Sequence, residues 1–102
     1  MSQDRLILQM GMGLDAGGDV QRAAERALAD ALNRTVLHDD DLVSEMRLTL
    51  GVPGGGEVAF APLKAALAGG DCEVTCVEGG LKSGDAVVVT AAIERFCPLR
   101  GG

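Results

Sequence analysis

Leu6-Ile7-Leu8-Gln9-Met10-Gly11-Met12-Gly13-Leu14-Asp15-Ala16-Gly17-Gly18-Asp19 is the stretch on which the fold turns, because an apolar run passes through glycines into the start of a helical pattern. Glycine serves where the backbone takes positive φ or lets another group come close. The glycines at 11, 13, 17 and 18 therefore read as a tight turn between a strand and a helix. Backbone N–H groups in such a turn, beside a helix N-terminus, suit an anion or a carbonyl oxygen. The turn is accordingly the candidate ligand-binding loop, with Gly11, Gly13, Asp15, Gly17, Gly18 and Asp19 as its residues, and Asp19 also fits as a helix N-cap. Gly11-x-Gly13-x-x-Ala16 matches a dinucleotide fingerprint in outline. Gly17-Gly18 delays the helix, two aspartates would repel a pyrophosphate, and 102 residues are too few for the double βαβαβ unit.

Outward from that stretch, Leu6, Leu8 and Met10 alternate with Ile7 and Gln9, so both faces are largely apolar and the first strand reads as interior to a sheet. After the turn, Val20, Ala23, Ala24, Ala27, Leu28, Ala31 and Leu32 form a 3.6-residue stripe opposite Gln21, Arg22, Glu25, Arg26 and Asp30. This is an amphipathic helix whose alanine-rich face lets it lie close on the sheet. Thr35 to Val43, with His38 and three consecutive aspartates, is a polar connection. Met46, Leu48, Leu50 and Val52 alternate with polar residues, giving a second strand with one apolar face that stops at Pro53-Gly54-Gly55-Gly56. Pro62 to Ala68 reads as a short helix closed by Gly69-Gly70. Cys72 to Glu78 is a third strand, Glu78 to Asp85 a second glycine-rich turn, and Ala86 to Phe96 a fourth, well-buried strand.

The order β-α-β-α-β-β predicts one α/β (α+β) domain over 1–102, with a mixed four-stranded sheet and two helices on one face. Apolar residues make up 47 % of the chain, enough for a core. Two Phe and no Trp or Tyr must fill it, so small residues dominate and a monomer of this size is marginal. Self-association is the expected supplement. A net charge of −6 with nine scattered basic residues excludes nucleic acid and anionic membranes as partners. No secretory leader and no run of membrane-spanning length is present, which points to the cytoplasm. Cys72, Cys76 and Cys97 are an odd set, so they read as core thiols and not as a disulfide framework. Cys72, Val74 and Cys76 share one strand face. His38 beside consecutive acids is no metal site, since neighbouring residues cannot all face one ion. No metal or cofactor is expected.

The segment Gly11 to Gly18 also resembles the GxGxDxHG motif of a lin-type family of conserved hypothetical proteins. The resemblance extends to Gly51-Val52-Pro53, Val77 to Leu81, Ser83-Gly84 and Ala91-Ala92, and so spans nearly the whole chain. It departs at Gly17, where the motif has His, so an Asp/His pair is not implied. The element order is similar to the chorismate-mutase-like fold, whose members commonly assemble as trimers around their sheets. That resemblance implies a trimer or higher ring and carries no activity.

The reactive side chains leave few chemistries. Ser2, Ser44 and Ser83 with His38 lack the context of a nucleophile elbow. Ser83 and Lys82 form a Ser-Lys pair on paper, as in ring-opening hydrolases of cyclic amides, although the two are adjacent in sequence. Asp15 and Glu78 share one end of the sheet if their strands are parallel, and crowded or desolvated carboxylates serve as general acid or base. The alternative for Asp15 is an acceptor for the N–H groups of its own turn. Candidate catalytic residues are thus Asp15, Glu78, Ser83 and Lys82, with Gly79 and Gly80 added to the ligand-binding glycines. The expected protein binds a small polar metabolite, with acid/base or amide-hydrolase chemistry, or is a non-catalytic binding or assembly protein.

Overall fold

Alternation and helical periodicity place the elements near where the sequence suggests, with exceptions around the glycines and at the second helix, which runs Phe60–Ala66 and not Pro62 to Ala68. The computed structural model describes residues 4–33, 45–67 and 72–98, so His38 and its acidic neighbours lie outside the described residues. The elements are β1 (Asp4–Asp15), α1 (Val20–Asn33), β2 (Glu45–Val52), a 3-10 turn (Pro53–Gly55), α2 (Phe60–Ala66), β3 (Cys72–Glu78), β4 (Leu81–Ser83) and β5 (Ala86–Pro98). The sheet runs β1-β5-β2-β3, with β4 paired to β5 beyond the end of β2. β5 is antiparallel to both β1 and β2, and β2 is parallel to β3. Strands β1, β2 and β3 therefore all point the same way, and their C-terminal ends share one end of the sheet.

The mixed sheet with two helices agrees with the expected class, but it has five strands and not four. The fifth, β4, lies inside the segment read as a continuous glycine turn, where Leu81, Lys82 and Ser83 pair with Val88, Val87 and Ala86. A three-residue strand between glycines has too little periodicity to announce itself.

A larger correction concerns β1. Gly11 and Gly13 do not turn the chain; they continue the strand to Asp15, paired with Ala91 and Val89 of β5. Their missing side chains let α1 rest directly on the strand. A Cβ on Gly11 would lie 2.3 Å from the Ala31 nitrogen, and one on Gly13 would lie 2.1 Å from the Ala23 carbonyl oxygen. The alanine stripe completes the fit, with Ala23, Ala24, Ala27, Leu28 and Ala31 buried. Nor is β1 interior. It is an edge strand, because the long C-terminal strand β5 takes the position between it and β2. The one-faced strand β2 lies inside the sheet between β5 and β3, with Met46, Leu48, Leu50 and Val52 buried in the core.

The core lies between the sheet and the helices. Leu28 of α1 and Leu63 and Leu67 at α2 meet Leu48, Leu50 and Val52 of β2 and Val87, Val89 and Ile93 of β5. α1 and α2 are clipped together by Gln21, which donates to the Ala59 carbonyl at 3.2 Å and accepts from the Ala59 N–H at 2.7 Å. Cys72, Val74 and Cys76 pack against this core from β3. Burial pushes both thiols above their ordinary pKa, so they stay protonated. At the outer edge of β1, Asp30 accepts from the Met12 N–H at 2.9 Å and Arg26 donates to the Leu14 carbonyl at 2.6 Å. Side chains of α1 thus reach round and occupy hydrogen-bonding groups of the edge.

Candidate functional site

Asp15 ends β1 at the sheet end shared by the C-termini of the parallel strands, the usual position for ligands in such sheets. Its carboxylate is buried and accepts from the Gly17 N–H at 3.1 Å and from the Asp19 N–H at 2.8 Å. The Asp15 carbonyl also accepts from the Gly18 N–H at 3.3 Å. Gly18 closes this loop at φ +85°, a left-handed conformation costly to any residue with a Cβ. Asp19 then caps α1, accepting from the Arg22 N–H at 3.1 Å.

The charge at Asp15 is held in place from several sides. Its pKa is lowered first by the Asp19 N–H, then by Arg22 and Arg26 and the Gly17 N–H, with burial opposing them. Arg26 lies 3.4 Å and Arg22 4.0 Å from the carboxylate. An ionised group so surrounded is an acceptor that builds the turn, and a poor proton donor near neutrality. The donors Gly17, Gly18 and Asp19, which the sequence suggests for an anion, already point at Asp15.

Opposite this turn stands the β4–β5 hairpin. A Cβ on Gly18 would come within 2.8 Å of the Asp85 carbonyl oxygen, so the two loops touch at that glycine. Between them lies a cavity of about 320 Å³, lined by Gly17, Gly18, Val20, Pro53, Lys82, Gly84, Asp85 and Val87. Lys82 and Asp85 are the charged residues among those that line it.

Of the expected site residues, Gly17, Gly18 and Lys82 line this cavity, and Asp15 and Asp19 support it from behind. Gly11 and Gly13 lie under α1 and are not part of it. Asp15 and Glu78 share an end of the sheet but are separated by β5 and β2, about 14 Å by strand spacing, so they do not form a carboxylate pair. Glu78 accepts from the Gly54 N–H at 3.2 Å and so ties β3 to the glycines after β2. Gly79 and Gly80 are packing glycines: the Gly79 N–H donates to the Val52 carbonyl at 3.2 Å, and a Cβ on Gly80 would strike the Val88 carbonyl oxygen. Ser83 is exposed and follows Lys82 on the same strand, where successive side chains point to opposite faces. Neighbours on one strand do not form a Ser-Lys dyad. Reading the glycines alone misses Val20, Pro53, Gly84, Asp85 and Val87; the Ser83-Gly84-Asp85 turn was the available signal for two of them. Among the described residues no cluster of His, Cys, Asp and Glu is arranged to hold a metal, and no helix is long and apolar enough to cross a membrane.

A family model described as "Conserved hypothetical protein (Lin0512_fam)" matches residues 5–95, and the chain belongs to that family. No curated protein matches it. The crystal structure of an FtsZ-like protein of unknown function from Nostoc punctiforme PCC 73102 is similar over 94 % of this chain and 95 % of that one, at 21 % identity and a TM-score of 0.71. At that identity the likeness concerns the fold. An empty FtsZ dimer from M. jannaschii is similar over 85 % of this chain and 26 % of that one, at 20 % identity and a TM-score of 0.43.

Proposed function

For this member of the Lin0512 family, we propose that the cavity between the Asp15 to Asp19 turn and the β4–β5 hairpin binds a small polar metabolite. One observation carries the reading: two glycine turns some seventy residues apart in sequence converge on one hollow, which has Lys82 and Asp85 on its wall. A volume of about 320 Å³ is at the small end of ligand pockets, suited to a compact metabolite. A cation and a carboxylate together favour a ligand with both an acceptor and a donor, such as an amide or an amino acid. If turnover occurs, Lys82 and Asp85 are the groups that face the substrate, and Asp15 and Glu78 are positioning carboxylates. Amide hydrolysis through Ser83 is not part of this reading.

The same reading includes a single domain of chorismate-mutase-like arrangement, acting in the cytoplasm as a homo-oligomer. The second reading, a non-catalytic assembly protein, is favoured by the exposed apolar side chains of β1. Native mass spectrometry against a panel of amino acids and cyclic amides distinguishes the two. Binding that is lost in Lys82→Ala, with the fold retained, supports the pocket; binding unaltered by Lys82→Ala and Asp85→Asn removes it.

A further inference from the structure

The sheet face opposite α1 and α2 carries no packed element among the described residues. On it β1 presents Leu8, Met10, Met12 and Leu14, each between 53 and 61 % exposed. The strand register sets small residues beside them: Ala92 and Thr49 lie across from Met10, and Thr90 and Gly51 across from Met12. The face is therefore divided lengthwise into a ridge of large flexible side chains and a trough of small ones. The trough is bordered by Leu81, 70 % exposed, and Val77, 44 % exposed.

We propose that this face docks a second copy of the same chain, the β1 ridge of each copy lying in the β5–β2 trough of the other. The exposed side chains offer on the order of 600 Å², at the limit of the largest patch on a typical monomer and most of the roughly 800 Å² per partner in a standard interface. The shape is self-complementary, as an isologous contact requires. The electrostatics agree. A chain of net charge −6 repels its own copy over most of its surface, whereas the middle of this face has no ionisable group. Among the described side chains its charged row, Glu94, Arg47 and Glu73, lies at the Leu8 end, with Arg47 and Glu73 4.0 Å apart. The inference rests on the self-association in the functional reading and is independent of any ligand.

Sedimentation equilibrium on the full chain, with and without ridge and trough substitutions, tests it. Wild type is expected to associate at micromolar concentration. Met10→Glu with Met12→Glu on the ridge, and separately Thr90→Arg in the trough, are each expected to weaken association at least tenfold, with unchanged far-ultraviolet circular dichroism. Met12→Gln serves if the acidic pair does not fold, and a loss of association is again the expected result. A wild-type monomer overturns both the docking face and the self-association. An oligomer that neither ridge nor trough substitutions disturb overturns the face alone. Lys82→Ala is expected to leave the oligomer intact, so loss of ligand binding and loss of association are read separately.

Discussion

Gly11 and Gly13 sit within eight residues of Gly17 and Gly18, yet they work in opposite ways. The first pair lies in extended strand, where the helix backbone occupies the space a side chain would fill; the second pair lies in a turn facing a cavity. One half of the motif is needed for how closely two elements pack. The other half is needed for where the chain goes next. The two are told apart by spacing: Gly11 and Gly13 keep the period-two alternation of Leu8, Met10, Met12 and Leu14, and Gly17 and Gly18 break it.

The sharpest way to break this contrast is Gly13→Ala. Its Cβ would meet helix backbone at 2.1 Å, which no side-chain rotation relieves, and overpacking of this kind is expected to cost about 3 kcal/mol or more by denaturant unfolding. Asp15→Asn comes next. It removes the charge that gathers Gly17, Asp19 and Arg26, so a clear fall in melting temperature at neutral pH is expected. Since the folded pKa of Asp15 is depressed, the stability from its ionised form is present above the ordinary carboxylate range and is lost as pH falls through the folded value. Wild type should therefore lose stability below about pH 4, and a stability profile of Asp15→Asn should be flatter there.

Gly18→Ala is expected to be milder, about 1–2 kcal/mol for a Cβ in left-handed backbone, with the Asp85 carbonyl also close. The smallest effect belongs to Gly17. It has no positive φ, and its Cβ would meet only the Asp15 carboxylate at an ordinary 3.4 Å. Gly17→Ala should stay within about 0.5 kcal/mol of wild type. Gly17→His should fold equally well and bring an imidazole to the cavity wall; titration of that histidine by NMR reports its contact with Asp15. If Gly17 proves as sensitive as Gly13, the division of the motif into packing and turn halves is wrong.

Much of the fold was legible because its signals are periodic. The start of α1 at Val20, the Asp19 cap, the limits of β3 and the common direction of β1 and β3 follow from stripe, alternation and crossover length. What misled was a residue type with two uses. Glycine signals both a turn and a close approach, and only the matching alanines at 23, 27 and 31 distinguish them, once it is known that this helix faces this strand. The position of β1 in the sheet was hidden for a related reason. An apolar face appears the same in sequence whether helix, solvent-facing trough or another molecule lies against it. For the site, the two glycine turns stand out in the sequence, but which side chains face the hollow depends on the register of β4 with β5, which three residues do not announce.

The bonds from Asp30 and Arg26 to the outer edge of β1 have a bearing on solubility. A twelve-residue strand at the margin of a sheet is a template on which further strands could add without limit. Here the helix that builds the core also supplies two stoppers, one an acceptor for Met12 and one a donor for Leu14. A strand arriving at this margin must first dislodge both, so growth into a fibre is opposed at the position where it would otherwise be easiest to begin.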